Sequence, residues 1–204
     1  MDKLELTTGR LERNMDEGGE TLIQISMQYP TSSEDGACFS RMAENVATAL
    51  SLGMLREAQA AAGMMPEALP YQISGTFTST YNARGVFSYY TDVFLYAGGM
   101  RGITYRYGSS FLMQDDFVSL FLTSFFPAGV DVRSRVTDFV TKRHGYNESA
   151  VRKAFSPENI YLTERGLAVF FHPGAVAPVA GGVSVFTMPY SDKGPFDPSV
   201  LTDK

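Results

Sequence analysis

An α+β fold is what the sequence predicts, on three observations. Most of the chain falls into runs whose apolar residues recur at period two. One stretch, Phe39, Met42, Val46, Leu50 and Met54, instead recurs at spacings of three and four. The elements come in the order strands, helix, strands, helices, strands. The expected architecture is an antiparallel β-sheet meander with one long helix packed on it and additional short helices. It forms a single domain over 1–204, in which 1–70 holds a strand pair and the long helix, and 156–190 a strand module.

The chain opens with the strand pair. Leu4, Leu6 and Leu11 mark its first member, and Thr21, Ile23, Ile25, Met27 and Tyr29 share one face of the second, around a turn at Asp16-Glu17-Gly18-Gly19. The polar run from Thr31 to Gly36 suits a helix start, and the long helix ends in an Ala-rich tail before Pro66 and Pro70. In the next strand, Tyr71, Ile73, Gly75, Phe77, Ser79 and Tyr81 alternate with Gln72, Ser74, Thr76, Thr78 and Thr80, so one face is apolar and the other rich in hydroxyls. Val86 to Tyr96 differs, because Phe87, Tyr89, Val93 and Leu95 oppose Val86, Tyr90, Phe94 and Tyr96. Large side chains on both faces predict an interior strand. Ile103, Tyr105, Tyr107, Phe111 and Met113 return to alternation, with Arg106 on the other side.

Asp115 or Asp116 is expected to cap a short helix carrying Phe117, Leu120 and Phe121. A second helix has Val132, Val136, Phe139 and Val140 as its stripe, with Arg133, Arg135, Lys142 and Arg143 outside it and Gly145 at its end. A third short turn of helix runs from Asn147 to Phe155. The stretch Asn159 to Tyr190 then reads as a strand, a tight turn at Glu164-Arg165-Gly166, and a second strand with Leu167, Val169 and Phe171 on one face. A crossing broken by Pro173, Gly174, Pro178, Gly181 and Gly182 leads to a third strand.

The ordered residues of that stretch carry a resemblance. Tyr161-Leu162-Thr163, Gly166-Leu167, Val169, Phe171, Pro173, Ala177-Pro178, Ala180, Gly182 and finally Pro189-Tyr190 resemble the C-terminal, extracytoplasmic module of RsiV-type anti-sigma factors, which also occurs beside the catalytic domain of some peptidoglycan deacetylases. Upstream, Asn82-Ala83-Arg84-Gly85, Val86 to Tyr96 and Gly98-Gly99-Met100-Arg101-Gly102 follow in the order such proteins show. The resemblance covers Leu4 to Tyr190, with its clearest part at the C-terminal end. Two positions depart from it: Arg101 stands where the family loop has His, and Val179 where the crossing often has Tyr.

What the resemblance implies is a non-catalytic binding or sensing module, whose relatives bind lysozyme so as to release a sigma factor. A lysozyme-like hydrolase is thus the implied kind of protein partner, weakened here by the two departures. Contact is expected on the irregular elements of the scaffold, at Met100 and Arg101 of the hairpin and at His172, Pro178 and Val179 of the crossing. Two readings from other classes stay open: an accessory domain to peptidoglycan-modifying machinery, and a structural domain without a ligand.

Composition narrows the field. A formal net charge of -5 argues against nucleic acid or an anionic membrane as main partner. A single cysteine excludes an internal disulfide, and Cys38, in the first turn of the long helix, reads as a small buried hydrophobe. No run is apolar and long enough for a membrane span, and the N-terminus lacks a signal core. The expected location is the cytoplasm if the chain is whole, and outside the bacterial membrane if it is an excised domain.

Candidate chemistry is thin, so no enzyme activity, cofactor or metal is expected. Two histidines, His144 and His172, cannot assemble a metal cluster of ordinary spacing. Lys142-Arg143-His144 suits a helix C-terminus, and His172 a strand end. Asp115-Asp116 are neighbours that point apart and are explained as caps. The Gly98 to Gly102 loop lacks the Lys-Ser/Thr ending of a phosphate cradle and joins two strands. Asn147-Glu148-Ser149 meets the glycosylation pattern, which chance often produces.

Overall fold

The computed structural model describes residues 3–33, 36–65, 67, 69–98, 101–113, 117–191 and 194–201. The fold is α+β. Strands β1 (Leu6–Glu17), β2 (Glu20–Ser32), β3 (Tyr71–Ala83), β4 (Val86–Tyr96), β5 (Ile103–Met113) and β6 (Phe117–Ser119) form one sheet in that order. Strands β7 (Ile160–Thr163), β8 (Gly166–Phe171) and β9 (Ser184–Pro189) form a second. The helices among the described residues are α1 (Gly36–Met64), α2 (Val132–His144) and α3 (Glu148–Ala154). By its contacts the chain divides into two compact units, one of Glu5–Phe77 with Thr91–Tyr105, the other of Met1–Leu4, Thr78–Tyr90 and Arg106–Lys204.

In the first of these units β1 and β2 pair antiparallel, turning through Gly18 and Gly19 at φ 62° and 89°. That double positive φ is the hairpin geometry glycine permits. The meander breaks at the next step, because β2 and β3 are parallel, in register from Ile23 opposite Tyr71 to Met27 opposite Gly75. The long helix is the reason. A chain that leaves a strand, runs the length of α1 and returns re-enters the sheet in the same direction. The Tyr71 hydroxyl lies 2.9 Å from Ala61 O, which also accepts from Met65 N at 2.9 Å, and 2.7 Å from Met65 O just beyond the helix, so the start of β3 is tied to the helix end. Of the expected stripe the helix buries Phe39, but its buried face then runs on through Ala43, Ala47, Ser51 and Ala58, whereas Met42, Val46, Leu50 and Met54 are half-exposed. Small residues let the helix backbone come close to the sheet. Cys38 is exposed, not buried.

In the other unit, β3 and β4 meet at Arg84 and Gly85, with φ 52° and 71°. The expected helix after Met113 is instead the short strand β6, paired with β5 from Met113 opposite Phe117 to Phe111 opposite Ser119, and then a 3₁₀ turn at Leu122–Phe125. Phe117-Val118 is aromatic and β-branched, and the open edge of β5 offers it backbone hydrogen bonds. Asp115 and Asp116 lie outside the described residues. Asp131 caps α2 by accepting from Ser134 N at 3.1 Å, Gly145 closes that helix at φ 72°, and Asn147 caps α3 through Ala150 N at 3.0 Å.

The core of this unit joins Val136 and Val140 of α2 and Val151 of α3 to Ile160, Leu162, Leu167, Val169 and Phe171. Ser88 ties β4, β5 and β7 together: its buried hydroxyl accepts from Leu162 N at 2.9 Å and lies 2.8 Å from Ser110 Oγ and 3.2 Å from Ser109 O. Every residue of β8 is buried.

Candidate functional site

The crossing from β8 to β9 is built by its prolines and glycines. Pro173 lacks the N–H to continue the ladder, so the chain turns, with Ala175 N donating to His172 O at 3.1 Å and Gly174 at φ 81°. At the far end Gly181 N donates to Pro178 O at 2.9 Å and Gly182 N to Val179 O at 3.0 Å, before Gly182 at φ 68° releases the chain into β9. The two ends touch, since a Cβ on Gly174 would come 3.0 Å from Val179 Cγ2. Pro178, Val179 and Ala180 are exposed, Val179 by 56%. An apolar apex is therefore held in place by short local bonds.

His172 sits at the root of this loop. Its ring is 5.6 Å from Tyr107 and 5.9 Å from Phe170, and burial holds its imidazole below the ordinary histidine value. A histidine whose folded value is depressed binds fewer protons than the unfolded chain, so stability falls as pH drops below about 6.5 and flattens once the folded form is also charged. Wild type is therefore expected to lose more thermal stability than His172→Gln between about pH 7.5 and pH 5. Parallel unfolding curves for the two would contradict the assignment.

From His172 an aromatic row continues that the sequence reading did not identify. Phe170 lies 6.1 Å from Tyr161, and Tyr161 5.0 Å from Tyr90. The Arg106 guanidinium stands 3.6 Å above the Tyr90 ring, with Nη1 donating to Tyr161 Oη at 3.3 Å. Tyr161 and Phe170 are buried, while Tyr90, Tyr107 and His172 are half-exposed. Period two held the signal, because Arg106 falls between Tyr105 and Tyr107 and so faces away from the strand's apolar side. The aromatic faces hold the cation in place.

Of the expected hairpin residues, Arg101 is exposed, beside Gly102, where a Cβ would overlap the Phe94 ring. Met100 lies outside the described residues. Arg101 belongs to the unit of Glu5–Phe77 and Thr91–Tyr105, while His172, Pro178 and Val179 share one loop of the other unit. Among the described residues no group of three His, Cys, Asp or Glu side chains is placed to hold a metal ion, and no helix is long and apolar enough to cross a membrane.

That loop lies inside the stretch that matches a known family. Residues 126–191 match the DUF3298 family, described as a protein of unknown function. The matched stretch runs from the end of the 3₁₀ turn through α2, α3 and the β7–β9 sheet. Two solved structures share the fold over most of their length. One is a member of the DUF3298 family from Bacteroides fragilis, 16% identical, with a TM-score of 0.58 over 93% of this chain and 92% of that one. The other is a DUF3298 family protein from Pseudomonas aeruginosa, 14% identical, with a TM-score of 0.57 over 91% of each chain. At these identities the likeness to the DUF3298 structures is one of fold. No curated protein matches the chain.

Proposed function

We propose that this chain is a non-catalytic binding and sensing module that recognises a protein partner through the crossing from His172 to Gly182. The observation that carries the reading is the crossing itself, an exposed Pro178-Val179 apex pinned at both ends and seated on a fully buried strand. Preorganised apolar loops on a rigid scaffold lose little entropy on binding. The resemblance to RsiV-type receptor modules adds the kind of partner, a lysozyme-like wall hydrolase. With Val at 179 in place of the aromatic that often anchors such a loop, affinity for lysozyme is weak.

Calorimetric titration with lysozyme tests this. Val179→Tyr is expected to tighten binding by about tenfold or more, and Pro178→Ala to weaken it. Nanomolar binding that survives Pro178→Ala would remove the assigned surface. An absence of binding by both wild type and Val179→Tyr would remove the proposed partner.

A further inference from the structure

We infer that the trough between α2 and the chain following β9 is a second binding site, distinct from the crossing, and that it takes an acidic peptide segment in extended form. The trough has a volume of about 370 Å³, with Arg135, Phe139, Lys142 and Arg143 on its helical wall and Met188 and Pro195 among the residues opposite. That is the lower end of the size range of ligand sites.

Charge argues for the occupant. The chain as a whole carries -5, yet this wall has three cations to one carboxylate, Asp138. Asp138 is already engaged: Lys142 Nζ donates to it at 2.8 Å. Among the described residues neither Arg135 nor Arg143 makes an ion pair; Arg135 is one of the charges, after Lys142 and Arg152, that hold the Asp138 carboxyl below the usual range, and Arg143 rests its guanidinium 5.4 Å from the Phe139 ring centroid. The helix dipole explains cations in the last turn, where Lys142, Arg143 and His144 fall, but not Arg135. Arg135 stands in the opening turn, where acids are favoured.

Geometry argues for an extended peptide. Arg135, Phe139 and Arg143 follow at intervals of four, so they climb one side of the helix and span about 12 Å at 1.5 Å per residue. In an extended chain, residues i, i+2 and i+4 point the same way and span roughly 13 Å. A segment with acids at i and i+4 and an aliphatic residue at i+2 therefore sets a carboxylate on each arginine and its apolar side chain on Phe139 and Met188. Guanidinium and carboxylate meet in the two-pronged geometry that makes such pairs strong.

The test is fluorescence anisotropy of a labelled Glu-Thr-Leu-Thr-Glu peptide with the whole chain. Saturable binding is expected, weakening by about tenfold or more when both Glu are replaced by Gln, or in the double variant Arg135→Gln/Arg143→Gln. Raising salt from about 0.05 M to 0.5 M should weaken it as well. Val179→Ala should leave it unchanged, which separates this site from the crossing. Both arginines are exposed, so the double variant is expected to unfold at the wild-type temperature, and the Gln peptide gives the same answer without any change to the protein. The inference is overturned if the acidic peptide does not bind, if its Gln counterpart binds equally, or if the double variant binds like wild type. Free succinate displacing the peptide at comparable concentration would show a small-anion site in place of a peptide site.

Discussion

Gly108→Val is expected to destabilise the chain by more than about 4 kcal/mol, lowering the unfolding temperature by roughly 10 °C, or to prevent folding. Gly108 lies midway along β5, where a Cβ would overlap the carbonyl of Ile160, with Phe170 Cε1 only 3.4 Å away. A flexible side-chain tip could move aside, but a backbone carbonyl in this setting cannot. Ile160 is buried and paired with Val169, and two residues on Leu162 N is fixed to Ser88 Oγ at 2.9 Å. Relieving the overlap means parting β5 from β7 and opening the core that both help to close. Gly53→Ala is the control: nothing lies within 4 Å of a Cβ there, the site is inside α1, and about 0.5–1 kcal/mol of stabilisation is expected. Thermal unfolding followed by circular dichroism reads both. A Gly108→Val protein melting within a few degrees of wild type would contradict the close approach.

Periodicity made most of the elements readable from sequence, and its failures have physical reasons. Strong alternation located β2, β3 and β5, and the two-faced run from Val86 to Tyr96 is indeed an interior strand, between β3 and β5. Strand direction was not readable, because period two is the same whichever way a strand runs. Only the length of the intervening helix bears on it, and that is what makes β2 and β3 parallel. The segment after Met113 looked helical because Phe117, Leu120 and Phe121 recur at three and four. Three residues of β-pairing to an open sheet edge outweighed that pattern.

The candidate site was legible where glycine and proline write backbone shape into the sequence. Pro173, Gly174, Pro178 and Gly182 marked the crossing, and the structure turns the chain there, through the bond from Ala175 N to His172 O and those of Gly181 and Gly182 N to Pro178 and Val179 O. The aromatic row was not legible, since it joins Tyr90, Tyr161, Phe170 and His172 from β4, β7, β8 and the loop beyond. No spacing along the chain encodes a contact between strands of two sheets. The trough along α2 was half legible: its cations stood out, whereas the opposing wall of Met188 and Pro195 comes from residues some fifty positions away.

The register of α1 on its sheet gives the second large effect. Ala47→Asp is expected to cost about 3–5 kcal/mol, the range for an uncompensated buried charge, while Val46→Asp costs nearer 1 kcal/mol. The two residues are adjacent, yet Ala47 is only 3% exposed and Val46 is partly open to solvent. Choosing the largest apolar side chains puts Met42, Val46, Leu50 and Met54 at the centre of the buried stripe. Beyond the buried Phe39, the residues of the buried face are small ones, Ala43, Ala47 and Ser51, because a helix approaches a sheet most closely where its side chains are shortest. Larger residues then flank the contact, half-covered and able to turn a polar end outward. A carboxylate at 46 can reach water by one rotamer change, whereas at 47 it has only the sheet before it. Urea unfolding of the two variants separates the registers, and a larger loss for Val46→Asp than for Ala47→Asp would mean that the stripe of large residues is the buried one after all.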